Sequence, residues 1–178
     1  DVGKTIASAI LVEALEADYW KPVQAGELNF CDTKKVEQLV SNKTSKFHAN
    51  YYALKTPMSP HAAAEIDNIS IDIKQIVEPK TKNNLVIEGA GGLLVPINYK
   101  GDFIADLIPY FNAEIILVCV PTPLGNNEKP DLKYLIEATT NIAKNMSKGA
   151  LVIVESTVAP GTTRDTIVPL IKSVSKFG

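Results

Sequence analysis

Leu85-Val86-Ile87-Glu88-Gly89-Ala90-Gly91-Gly92 is the stretch that decides the fold class. Three apolar residues between polar neighbours, followed by glycines, read as a buried parallel strand running into a glycine loop. Two runs of the same kind follow: Ile115-Ile116-Leu117-Val118-Cys119-Val120, stopped by Pro121, and Leu151-Val152-Ile153-Val154-Glu155. Helical spacings lie around them. From Thr5 to Ala17, residues Ile6, Ile10, Leu11 and Ala14 share a face, and from Asp32 to Val40, Val36, Leu39 and Val40 do. Thr56-Pro57-Met58-Ser59-Pro60 reads as a loop before a helix opening at His61. Asp131 to Met146 and a segment from Thr163 read as two more helices. Ile69 to Val77 is read as a helix although its β-branched residues disfavour one. Tyr19-Trp20 is a short apolar segment, and Pro22 is expected to end regular structure there. Strands alternating with helices predict an α/β fold with a mostly parallel sheet.

The 178 residues suffice for one domain with a sizeable core. A net charge of −2 gives no chain-wide attraction to nucleic acid or to an anionic membrane, so neither is expected as a partner. Cys31 and Cys119 are too far apart in sequence for a metal motif and are read as reduced thiols of a cytoplasmic protein. No apolar run approaches the roughly 20 residues that a membrane-spanning helix needs, and no signal peptide is recognised. The chain opens at Asp1, inside what reads as a loop, so further sequence is expected upstream.

That opening, Asp1-Val2-Gly3-Lys4-Thr5, has the form of the end of a phosphate-binding loop. Gly3 lets backbone N–H groups approach phosphate, Lys4 supplies charge to the outer phosphates, and Thr5 offers a hydroxyl to magnesium. The plain alternative is a glycine turn before an amphipathic helix with a solvated lysine. Glu88 strengthens the functional reading, because a carboxylate at the carboxyl end of an apolar strand is where such folds hold magnesium. Gly89, Gly91 and Gly92 can form a backbone pocket for an anion. Lys21, after its own short strand, points to the same sheet edge, where open α/β folds bind ligands. The expected architecture is P-loop/Rossmann-like, three layers α/β/α in a single domain over residues 1–178.

Four motifs extend this reading into a resemblance. Asp1 to Thr5, Lys21-Pro22-Val23-Gln24-Ala25-Gly26, Ser59-Pro60-His61-Ala62-Ala63 and Glu88-Gly89-Ala90-Gly91-Gly92-Leu93-Leu94-Val95-Pro96 closely resemble dethiobiotin synthetase over about residues 1–118. The resemblance implies an ATP- and magnesium-dependent ligase of biotin synthesis, a cytoplasmic homodimer. Such an enzyme closes a ureido ring on 7,8-diaminopelargonic acid with carbon dioxide, through a carbamate and its phosphorylated form. It further implies that Gly3, Lys4 and Thr5 bind the nucleotide and that Lys4 and Lys21 stabilise carbamate and phosphoryl oxygens. Thr5, Asp32 and Glu88 would hold magnesium, Gly91 and Gly92 would shape the diamine pocket, and Ser59 would line it. Ala25 stands where many members have serine, which removes one substrate hydrogen bond. His61 is assigned to packing or helix initiation, and His48 to an exposed loop.

Residues from about 115 to 178 resemble a different family. Val120-Pro121-Thr122-Pro123-Leu124, Glu128-Lys129-Pro130-Asp131-Leu132 and Val154-Glu155-Ser156-Thr157-Val158-Ala159-Pro160-Gly161-Thr162-Thr163 are similar to the NAD-binding domain of nucleotide-sugar dehydrogenases. That likeness would put Thr122 and Glu155 near a dinucleotide. Yet no G-x-G-x-x-G turn occurs in the chain, and NAD binding needs one. Cys119 falls in an expected buried strand, where a thiol is inert. The chain thus reads as a chimera, 1–118 and 119–178, joined at a strand common to both families, with impaired synthetase activity expected. The alternatives are a fragment of an NAD-dependent nucleotide-sugar dehydrogenase and a non-catalytic α/β chimera.

Overall fold

The computed structural model describes residues 3–125 and 130–177. Asp1 and Val2 of the opening motif lie outside the described residues, as do Asn126, Asn127, Glu128 and Lys129 of the second segment. Two compact units form, Gly3–Ile104 and Ala105–Gly178.

In the first unit, helix α1 (Lys4–Leu15) starts from Gly3, whose φ of 81° lies in the left-handed region. A Cβ there would be strained, so glycine suits this entry into the helix. Strand β1 (Asp18–Trp20) follows at once and is buried at all three positions. Regular structure breaks at Pro22 as expected: β1 ends at Trp20 and Pro22 lies in a bend. A new strand, β2 (Val23–Ala25), then begins and belongs to a separate sheet. Helix α2 (Asp32–Leu39) buries Val36, while Leu39 stays exposed.

Strands β3 (Phe47–His48) and β4 (Tyr52–Leu54) were not anticipated. Helix α3 (Pro60–Ile66) has proline in its first turn, where the missing N–H costs nothing. Strand β5 (Leu85–Ile87) completes the unit. The strands pair in parallel, as β3-β1-β5 and as β2-β4. This explains why β1 is wholly buried and β5 only half-buried: β1 is the central strand and β5 an edge. Ala9 and Val12 of α1, Tyr19 of β1 and Val36 of α2 form the apolar core between helices and sheet, with Val40, Phe47 and Val86 packed against them.

The expected helix from Ile69 to Val77 is absent. Only one 3-10 turn forms, Ile73–Gln75, after the Asp72 side chain accepts a hydrogen bond from the Lys74 backbone N–H. Ile71, Ile73 and Ile76 are buried, and Asn98 Nδ2 donates to the Ile71 carbonyl at 3.2 Å. Burial of these isoleucines along an irregular path overrides the helical spacing, consistent with the poor helix preference of β-branched residues.

The second unit contains the short helix α4 (Leu107–Tyr110), strand β6 (Ile115–Val118), helix α5 (Lys133–Asn145), strand β7 (Leu151–Val154) and helix α6 (Val168–Val174). Strands β6 and β7 pair in parallel, Ile115 opposite Leu151 through Val118 opposite Val154. A π-helical turn over Thr163–Ile167 leads into α6. Because β6 ends at Val118, Cys119 lies beyond the strand and is half-buried, not enclosed within it as expected. Every named strand pair is parallel, and the α/β class read from the sequence holds.

Candidate functional site

Parallel pairing of β1 with β5 sets Trp20 opposite Ile87. The residue after each strand therefore emerges at the same carboxyl edge, and these residues are Lys21 and Glu88. The Glu88 backbone N–H donates to the Trp20 carbonyl at 3.0 Å, carrying the ladder one step further. Both side chains are almost wholly removed from solvent, Lys21 at 5% exposure and Glu88 at 4%. Helix α1 brings its first turns to this edge, and Asp32 heads α2 beside it.

Glu88 is the hub. Its Oε1 accepts hydrogen bonds from Thr5 Oγ1 and Lys21 Nζ, each at 3.3 Å. Its Oε2 accepts from Ser8 Oγ and Tyr19 OH, each at 3.0 Å. Lys21 Nζ also donates to Asp32 Oδ2. Asp32 Oδ1 accepts from Lys35 Nζ at 3.2 Å, and Lys35 in turn donates to Glu27 at 2.9 Å. Charges held this far from water require partners, and the network supplies them.

The electrostatics follow. Burial works against the charged form of Asp32, but the hydrogen bond and charge of Lys21, reinforced by Lys35, hold its carboxyl below the usual carboxylate range. Burial raises the Tyr19 phenol far above its ordinary value, helped by the charge of Glu88 and the hydrogen bond between them. Tyr19 therefore stays a donor.

An open cleft of ≈ 300 Å³ adjoins this cluster, lined by Gly3, Thr5, Phe30, Asp32 and Lys35 among others. It lies at the start of α1, where helix N–H groups and the helix dipole favour an anion. One hydroxyl and two carboxylates are hard oxygen donors of the kind magnesium takes. No group of three His, Cys, Asp or Glu side chains gathers among the described residues. A magnesium ion here would draw on Thr5, Asp32 and Glu88 and fill its shell with water and phosphate oxygens, as that ion commonly does. The donor set fits.

Of the residues singled out by sequence, Thr5, Lys21, Asp32 and Glu88 come together, and Gly3 and Lys4 stand at the head of α1. Gly91, with φ of 85°, and Gly92 lie in the exposed turn after Glu88. Ser59 precedes α3 and is half-buried. Among the described residues no hydrogen bond links Ser59, Gly91 or Gly92 to the Glu88 cluster. The motifs nevertheless adjoin. His61 Nδ1 lies 3.2 Å from the Pro96 carbonyl, tying the start of α3 to the end of the glycine segment. A Cβ on Gly26 would come within 2.5 Å of Pro57, so the Lys21–Gly26 motif packs directly on the Thr56–Pro60 loop.

His61, stacked edge-on to Tyr99, is a packing residue at a helix start. His48 is not the exposed loop residue expected: it sits in β3 with Nε2 2.9 Å from the fully buried Asp18. In the second unit, Thr122 Oγ1 donates to the Thr157 carbonyl at 2.7 Å, and the Glu155 N–H donates to the Val118 carbonyl at 3.0 Å. Both follow the carboxyl ends of β6 and β7.

Sequence reasoning missed Ser8, Tyr19 and Lys35. Two of the three carried a readable signal: Ser8 falls three residues after Thr5 on the same helical face, and Lys35 three after Asp32. Tyr19 had none, since a tyrosine in a short apolar strand reads as core.

Comparison with known proteins extends this picture. Residues 1–166 match the sequence family described as an AAA domain. The chain is 64% identical over 108 residues to the ATP-dependent dethiobiotin synthetase BioD of Christiangramia forsetii, covering 61% of this chain and 52% of that protein. Against the protein of the same name from Cytophaga hutchinsonii it is 52% identical over 119 residues, covering 66% and 57%. For Afipia carboxidovorans the values are 48% over 126 residues, covering 70% and 59%. The chain thus spans between 52% and 59% of the length of these curated relatives. With residues 1–166 of its 178 inside the family match, the chain belongs to the AAA domain family.

Proposed function

We propose that the protein is an ATP- and magnesium-dependent dethiobiotin synthetase, and that this chain carries its phosphate and metal residues. The observation that carries the reading is the convergence of Thr5, Lys21, Asp32 and Glu88 on one sheet edge beside the start of α1. The 64% identity to a dethiobiotin synthetase supports it.

In the proposed reaction one amine of 7,8-diaminopelargonic acid captures carbon dioxide as a carbamate. A carbamate oxygen takes the γ-phosphoryl group of ATP, leaving ADP. The second amine then attacks the carbonyl carbon and inorganic phosphate departs, closing the ureido ring. The protein's work in such a sequence is to position groups and offset developing charge. Lys4 and the first N–H groups of α1 bind the phosphates. Lys21, held between Asp32 and Glu88, directs its ammonium group at carbamate and phosphoryl oxygens. Thr5, Asp32 and Glu88 would hold magnesium, which would offset phosphate charge as a Lewis acid. Gly91 and Gly92 shape the diamine pocket and Ser59 lines it. Ala25, lacking a hydroxyl, gives one hydrogen bond fewer to substrate.

A cytoplasmic homodimer is part of the same reading, resting on the resemblance. So is the chimeric origin of the chain, with residues 119–178 akin to a nucleotide-sugar dehydrogenase. A dehydrogenase activity is not favoured, since the chain has no G-x-G-x-x-G turn for NAD.

The test is formation of dethiobiotin from the diamine, bicarbonate and magnesium-ATP, with Lys4→Ala alongside. Turnover by the unaltered chain and a fall of about 100-fold or more in the variant are expected. Nucleotide affinity unchanged by Lys4→Ala would sink the assignment.

A further inference from the structure

Glu88 divides its two carboxylate oxygens between two kinds of partner. Oε1 meets Thr5 Oγ1 and Lys21 Nζ at 3.3 Å each, and both of these belong to the proposed phosphate and metal site. Oε2 meets Ser8 Oγ and Tyr19 OH at 3.0 Å each, and neither has a role in that site. Ser8 is 7% exposed and Tyr19 fully buried, so water does not compete for these bonds. Their mounts are rigid. Ser8 lies within α1, one turn after Thr5, and Tyr19 lies in the central strand β1, flanked by β3 and β5.

We propose that Ser8 and Tyr19 are positioning residues that fix the Glu88 carboxylate through Oε2, so that Oε1 alone is presented to magnesium. This rests on the magnesium-ATP reading above and adds to it the residues that aim the ligand. Two hydroxyl donors on one carboxylate oxygen fix both the carboxyl plane and its rotation about the last side-chain bond. Tyr19 further couples aim to fold, since its ring belongs to the apolar core that joins α1, α2 and the sheet.

The experiment is calorimetric titration of the full chain with ATP over a series of magnesium concentrations, with thermal unfolding measured on the same samples. Tyr19→Phe removes the hydroxyl and keeps the ring. Ser8→Ala removes the other hydroxyl within a helix that tolerates alanine well, so it remains informative if the first variant folds poorly. Each variant is expected to need about 10-fold more magnesium for half-maximal ATP binding, the size typical of lost outer-shell support. Affinity at saturating magnesium should return to that of the unaltered chain. A merely structural role would lower the unfolding temperature and leave the magnesium midpoint in place, which would overturn the inference. No magnesium-dependent ATP binding by the unaltered chain would instead overturn the underlying reading, and the inference with it.

Discussion

The two units of this chain bury different things. Ser8, Asp18, Lys21, Gln24, Glu88 and Asn98, all in Gly3–Ile104, are buried polar or charged residues, whereas Thr139 is the one such residue among those described in Ala105–Gly178. The core of the second unit is made of aliphatic residues such as Ile116, Val118, Leu135, Ile142 and Ile167. Its surface carries the larger hollow, ≈ 510 Å³ against ≈ 300 Å³, lined by Asp131, Leu132, Lys133, Ile136 and Glu137. Moving an ion out of water is costly, and the first unit does so at both Lys21 and Glu88.

Removing the central cation should break this contrast most strongly. Lys21→Met keeps most of the side-chain volume and leaves Asp32 and Glu88 without their shared ammonium. A loss of about 3–5 kcal/mol is expected in urea unfolding, the usual result of stranding a buried charge. A loss under about 1 kcal/mol would show that the network does not hold the unit together.

Leu135→Ala sharpens the comparison from the other side. Leu135 is fully buried in α5, and its truncation should cost about 2–4 kcal/mol through lost transfer energy and a cavity. Magnesium-ATP affinity of the folded variant should stay unchanged. Weakened affinity would mean that the second unit shares the site.

These contrasts also show what a sequence reveals. Helices α1, α2 and α5 and strands β5, β6 and β7 were legible because each is an apolar run or face bounded by polar or breaking residues. The segments β2, β3 and β4 were not, because two or three residues carry no period, and their stability comes from pairing with distant strands. The gathering of Thr5, Lys21 and Glu88 was legible because strand ends and loop glycines mark the carboxyl edge of the sheet, and that of Asp32 only through resemblance. Ser8 and Tyr19 were hidden, since a buried hydroxyl betrays itself only through the partner it meets. His48 was misread for the same reason: Asp18, 28 to 65 residues from its partners in sequence, gathers His48, the Lys46 N–H and Asn83.

That Asp18 cluster yields the smallest effect, one set by pH. Burial disfavours the Asp18 carboxylate, but hydrogen bonds from Thr81, Asn83, His48 and the Lys46 N–H lower its pKa from 3.8 to about 2. A carboxyl whose folded value is depressed stabilises the fold above its unfolded value, and that contribution fades as pH falls. The unaltered chain should exceed Asp18→Asn in stability by about 1–3 kcal/mol near neutrality. The gap should close between pH 4 and pH 2. Thermal unfolding across that range checks it, and a gap that is flat with pH would mean the buried carboxylate is not charged in the fold.

The central claim is that the first unit holds a magnesium-ATP site, and calorimetric titration of the chain with magnesium-ATP, with NAD in parallel, tests it most directly. Magnesium-dependent binding of ATP without binding of NAD is the predicted result. Binding of NAD, or of neither ligand, would contradict it.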